Sequence, residues 1–188
     1  GQPVPDRVHH HELHPADEII TMNLFQKELP PFDGLTVQAK YTIMHGLKHT
    51  EEERAAWCTV EALIAEFKSA DKYVLAVPMW NFSIPYRLKQ SLDILVQPTY
   101  TFNITEEGGY DGLVKSKPIF LACSNGGEYP AGTPYEAYDF QTKYLKLILG
   151  FIGFTDIRLL TIGPTLNQGP DVAKEKRSQA IATAQERA

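Results

Sequence analysis

Two short segments hold the residue types that could bind a flat heteroaromatic molecule. Pro78-Met79-Trp80-Asn81-Phe82-Ser83 follows the apolar run Lys72–Val77, and Ser124-Asn125-Gly126-Gly127 follows the run Pro118–Cys123. Pro78 and the two glycines allow close backbone approach, and Trp80 and Phe82 supply planar walls. Asn81, Asn125 and backbone amides offer donors to carbonyl-type oxygens. A plainer alternative stands beside this: Pro-x-x-Asn after a strand is also an ordinary turn, and Gly-Gly before a helix is also a hinge. Their occurrence together at two matching strand ends is what favours a ligand site. Other chemistries find less support. No G-x-S-x-G motif occurs and no Ser/His/Asp set is evident. His11-Glu12-Leu13-His14 is one residue short of H-E-x-x-H; His10 and His14 have helical i,i+4 spacing, but no Cys or carboxylate set completes a metal site.

Such segments need strands to hold them. Lys72–Val77 is a continuous apolar run ended by Pro78, as expected of a parallel strand covered on both faces. Pro118–Cys123 and Ile157–Ile162 read the same way, and Glu18–Leu24, β-branched at Ile19, Ile20 and Thr21, predicts a further strand. Helical patterns lie between them. Thr50 with Glu53 forms a capping box ahead of Trp57, Val60, Ile64 and Phe67 at spacings of three and four. Ser83 and Pro85 open a helix with Leu88, Leu92 and Leu95 as its buried stripe. A helix is expected over 134–149 with Gly150 as its C-terminal cap, and Pro170-Asp171 starts the last one. Strands alternating with helices, too far apart for hairpins, indicate right-handed βαβ units. The expectation is one α/β domain over 1–188, an open flavodoxin-like parallel sheet with helices on both faces. Residues 1–16, with Pro3, Pro5 and Pro15, form an irregular lead-in.

Composition narrows the partners. Eighteen basic and twenty-three acidic residues give −5, too mild a surplus for a nucleic-acid or anionic-membrane partner. Nine Phe, nine Tyr and two Trp argue for a packed, ligand-binding domain. Cys58 and Cys123 cannot build a disulfide framework and suggest a reducing, cytoplasmic setting. No apolar run approaches the roughly 18 residues of a membrane span.

The segment Pro78-Met-Trp-Asn-Phe-Ser-Ile-Pro-Tyr-Arg-Leu-Lys-Gln90 resembles the P-M-[YW]-N-F-x-[IV]-P segment of FMN-dependent NAD(P)H azoreductases and quinone reductases. Tyr110-Asp-Gly-Leu-Val114 and Leu149-Gly-Phe-Ile-Gly-Phe-Thr-Asp156 follow in the family's order and spacing. The resemblance implies an FMN at the sheet edge, contacted by Pro78, Met79, Trp80, Asn81 and Phe82, with Ser124, Asn125, Gly126 and Gly127 around its pyrimidine end. It implies NADH or NADPH as donor, a quinone or azo compound as acceptor in the same place, and ping-pong hydride transfer through flavin N5 with no essential catalytic side chain. It also implies a homodimer with shared pockets, in which Phe102 and Phe151 line the substrate space and Tyr129 reaches it. Ordinary core or interface packing is the alternative for Phe102 and Phe151. Asn125 departs from the Arg that relatives often carry there.

A larger departure lies at the start. The family's first strand, a Ser-rich phosphate loop and most of one helix are missing from these 188 residues, and the expected order 2-1-3-4-5 would place that strand between 19–24 and 72–77. An incomplete chain is the favoured explanation, because an unpaired central edge is costly. Replacement by residues 1–16 conflicts with their prolines, and a short form with weakened FMN binding is the third possibility. The alternative function is a flavin-free ligand-binding or interaction protein on the same scaffold.

Overall fold

The computed structural model describes residues 14–186. Along the chain run α1 (Gly34–Met44), α2 (Glu51–Ser69), β1 (Tyr73–Pro78), α3 (Tyr86–Leu95), β2 (Phe102–Ile104) and β3 (Tyr110–Gly112). Then come β4 (Ile119–Ser124), a 3-10 turn (Pro134–Tyr138), α4 (Phe140–Phe151), β5 (Ile157–Ile162) and α5 (Gly169–Glu186). β1, β4 and β5 form a parallel sheet in that order, with Val77 opposite Cys123 and Cys123 opposite Thr161. This is the order expected of the three strands, and the α/β alternation read from the sequence is the architecture observed. No helix among the described residues is long and apolar enough to cross a membrane.

Two apolar clusters hold the layers together. Val77, Leu121 and Cys123 meet Leu88 and Leu92 of α3 and Leu145 and Leu149 of α4. Ala39 of α1 meets Trp57, Val60 and Ile64 of α2 and Ile94 and Leu95 of α3. Because α3 contributes to both, it fixes the helical layer to the strand ends where the candidate ligand segments begin. The α2 capping box forms as predicted: Thr50 N donates to Glu53 Oε2 at 2.8 Å, and Glu53 N donates to Thr50 Oγ1 at 3.1 Å.

Several expectations need correction. Residues 18–24 form no strand. β-branched composition suits a strand, but the ladder needs a neighbour, and among the described residues none runs beside this segment. A side chain of α3 takes its last carbonyl instead, and the same helix holds the chain just beyond it. Arg87 donates from Nε to Leu24 O at 2.9 Å and also to Lys27 O, while Gln90 Nε2 donates to Pro30 O at 3.1 Å. β1 is not covered on both faces: Val74 is 74% exposed, and β1 pairs only with β4 among the described residues. The helix expected over 134–149 starts later, because Asp139 caps it by accepting from Gln141 N and Thr142 N. It also runs through Gly150 to Phe151, and the left-handed residue that turns the chain is Gly153, at φ 116. Pro85 is the N-cap of α3 rather than its first residue. Helix α1, capped by Asp33 accepting from Thr36 N at 3.2 Å, and the antiparallel β2–β3 hairpin were not foreseen. His10 and His11 lie outside the described residues.

Candidate functional site

At the end of β1 the chain reverses at once. Met79 N donates to Ser124 O at 2.7 Å, which ties the two predicted segments together. Trp80 and Ser83 then exchange N–H···O bonds of 2.9 and 3.0 Å, enclosing Asn81 at φ 48 and Phe82 at φ 68. Two consecutive left-handed residues make this a type I′-like turn, normally the province of Gly, Asn and Asp. Asn81 suits it. Phe82 does not, and a bulky residue there is held at a cost of order 1–2 kcal/mol. Its carbonyl accepts from Phe140 N at 3.1 Å, so the start of α4 braces the turn. Below it, buried Gln141 donates from Nε2 to Val77 O at 2.8 Å.

Aromatic rings flank the turn on both sides. The Phe82 ring lies 5.2 Å from Tyr138 and 6.3 Å from Tyr129, while Trp80 lies 5.5 Å from Phe25 and 6.3 Å from Tyr86. A cleft of about 370 Å³ opens beside Trp80, Asn81, Ser83, Lys89 and Tyr144. The amides of Asn81 and Phe82 donate to no protein acceptor among the described residues, and both residues are exposed. Two free N–H groups between aromatic clusters fit a flat ring with acceptor atoms along its edge, which is the chemistry of an isoalloxazine.

The second segment faces inward more than expected. Asn125 is 7% exposed, its carboxamide lies on Gly163, and its carbonyl accepts from Thr165 N at 3.0 Å and Thr165 Oγ1 at 2.9 Å. Gly126 O accepts from Leu166 N and Asn167 N, and a Cβ at Gly126 would stand 2.9 Å from Leu166 Cδ1. At Gly127 a Cβ would meet Asn167 Nδ2 at 3.0 Å and the Tyr129 hydroxyl at 3.2 Å. The loop after β5 therefore folds onto this backbone, and its side chains crowd the space beside both glycines. A cleft of about 340 Å³ between the ends of β4 and β5 is lined by Asn125, Gly127, Tyr129, Asp139 and Thr142. Cys123 is fully buried beneath, and burial pushes its thiol up to about 12, with the Asp139 charge adding to the shift. It stays protonated and is no nucleophile at neutral pH.

Phe102 and Phe151 come together elsewhere, with ring centroids 4.7 Å apart, and Tyr110 joins them at 6.0 and 5.1 Å. Two of the recognised sequence blocks meet here. Val114 N donates to Ile152 O at 2.8 Å, and Leu113 N to Thr101 O at 2.8 Å. Gly112 and Gly153 lie backbone to backbone: a Cβ on Gly153 would stand 3.0 Å from Gly112 C, and one on Gly112 would overlap Gly153 N. Among the described residues no ring contact joins this trio to the Trp80–Ser83 turn. The structure thus gathers Pro78–Phe82, Ser124–Gly127 and Tyr129 in one region and sets Phe102 and Phe151 in another. Sequence reasoning missed Phe25, Tyr138 and Tyr110 as ring partners. Only Tyr110 had a signal, as the first residue of its block.

Comparison with known proteins follows the same lines. The model of a family described by its flavodoxin-like fold matches residues 9–188. An FMN-dependent NADH:quinone oxidoreductase of Nitratidesulfovibrio vulgaris (strain DP4) is 49% identical over 92% of this chain and 82% of its own length. An azoreductase from Bacillus anthracis str. Sterne superposes with a TM-score of 0.87 at 30% identity, over 96% of this chain and 86% of that one. An FMN-dependent NADH-azoreductase from B. anthracis str. Ames Ancestor, solved in complex with FMN, superposes with a TM-score of 0.76 at 27% identity, over 88% and 79%.

Proposed function

The chain belongs to the flavodoxin-like family of FMN-dependent NADH:quinone oxidoreductases and azoreductases, and from that membership we propose a ping-pong enzyme in which donor and acceptor use one place in turn. It is an FMN-dependent oxidoreductase that uses NADH to reduce quinones and azo compounds. When bound, FMN would supply the two-electron redox chemistry between NADH and the acceptor.

The chain's own residues supply binding and orientation. Pro78, Met79, Trp80, Asn81 and Phe82 would hold the isoalloxazine, with the free Asn81 and Phe82 amides directed at its acceptor edge. Ser124, Asn125, Gly126 and Gly127 would supply backbone contacts at its pyrimidine end. Tyr129, Phe102 and Phe151 would line the acceptor space. Since Phe102 and Phe151 sit apart from the turn, the proposal includes a homodimer in which each protomer offers its aromatic trio to the partner's turn. Tyr86 at 66%, Phe140 at 60% and Leu147 at 71% exposure leave an apolar surface suited to that association. Free Cys58 and Cys123 suit a reducing compartment, and a cytoplasmic location is part of this reading.

The observation that carries the proposal is the strained turn with its two unpartnered amides, at the place where the family motif lies. Purified protein titrated with FMN should quench flavin fluorescence and oxidise NADH when a quinone is present, with parallel double-reciprocal lines. Intersecting lines would refute the shared place, and protein indifferent to FMN would refute the reading as a whole.

A further inference from the structure

We propose that Tyr110 determines acceptor specificity: from the exposed edge of the half-buried trio it offers its phenol O–H as a hydrogen-bond donor to the carbonyl oxygen of a bound quinone. The inference rests on the reading that this trio lines the acceptor space. Phe102 and Phe151 present only apolar faces to a flat molecule, so the Tyr110 hydroxyl is the one polar atom of the three side chains. Quinones differ from other flat acceptors in carrying carbonyl oxygens on the ring perimeter, and a donor at the rim of an aromatic wall discriminates for that feature.

Tyr110 is 63% exposed, and its hydroxyl donates to no protein acceptor among the described residues. Directly across the hairpin stands Ile104, 66% exposed, which cannot compete for the proton. The mount is rigid as well. Thr105 N donates to Gly109 O at 2.9 Å at the hairpin tip, and Lys115 pairs with Asp111 at 2.7 Å. Two residues beyond Tyr110 the Gly112–Gly153 backbone contact ties the hairpin to the end of α4, which carries Phe151. A donor held this way loses little freedom when a ligand arrives.

Tyr110→Phe keeps the ring and removes the donor; Tyr110→Ala removes both. In the FMN-loaded oxidised protein, calorimetric titration with 1,4-naphthoquinone should give a dissociation constant about 3- to 10-fold weaker for Tyr110→Phe. The quinone KM should rise in parallel, with kcat within about twofold on the same grounds. FMN affinity and the rate with ferricyanide, which has no carbonyl, should stay unchanged. Tyr110→Ala should weaken quinone binding further. An unaltered quinone affinity in Tyr110→Phe overturns the proposal, as do equal losses with ferricyanide or a changed FMN affinity, which mark a structural role. Failure of the underlying reading is separable, because it appears in the unsubstituted protein as no quinone-dependent NADH oxidation, and it removes this proposal too.

Discussion

At φ 68, Phe82 holds a backbone conformation that a bulky side chain adopts only where its surroundings over-determine it. Here they do: the Trp80–Ser83 pair closes the turn, Phe140 N holds the Phe82 carbonyl, and Tyr129 and Tyr138 flank the ring. Strain at this point has a use if the ring and its amide serve the cofactor. Phe82→Gly should therefore change stability by no more than about 1 kcal/mol in urea unfolding, because relieved strain offsets lost packing of a half-exposed ring. A buried Phe→Ala costs about 3–5 kcal/mol by comparison. FMN binding by the same variant should weaken roughly tenfold in a fluorescence titration, the scale of one lost aromatic contact. The P-M-W-N-F motif was legible in the sequence, and so was the chance of a turn at Pro78–Asn81. Phe82's conformation was not, since nothing in its residue type favours it.

Between elements, glycines decide what can touch. Tyr110–Val114 and Leu149–Asp156 were visible as separate blocks, but their contact depends on two backbones meeting at Gly112 and Gly153. Gly112→Ala would drive a Cβ into rigid backbone, so a loss of about 3 kcal/mol is expected in chemical denaturation. Gly34→Ala, at the start of α1 with nothing within 4 Å, is the control and should be neutral or up to about 1 kcal/mol stabilising. The strand expected at 18–24 fails for the converse reason. Local composition favours extension there, yet among the described residues no strand runs beside it, and Arg87, more than sixty residues away, takes the Leu24 carbonyl. The hairpin escaped notice because strands of three residues are too short to show alternation.

For the molecule as a whole, the apolar side chains that remain outside bear on assembly. Leu147 lies on α4, while Leu145 and Leu149 of the same helix are buried, so one helix presents apolar residues to two surroundings. Leu147→Asp removes no core contact and should leave monomer stability within about 0.5 kcal/mol. If α4 faces a second copy, the variant should sediment as a monomer under conditions where the unsubstituted protein sediments as a dimer. Quinone-dependent NADH oxidation should then fall by about tenfold or more, because the trio no longer reaches a partner's turn. A dimeric, fully active Leu147→Asp protein would remove α4 from the interface.

The amino-acid sequence alone determined the α/β alternation, the three parallel strands, the α2 capping box and the two segments at the ends of β1 and β4 that we propose bind the ligand. These depend on local periodicity, punctuation by Pro and Gly, and motifs contiguous in the chain. Tertiary structure decided the rest: the left-handed turn at Asn81 and Phe82, the inward packing of Asn125 on Gly163, and the separation of Phe102 and Phe151 from the loops after β1 and β4. Each of these depends on a contact between residues distant in sequence, and no local pattern encodes which distant backbone will close on a given glycine or brace a given turn.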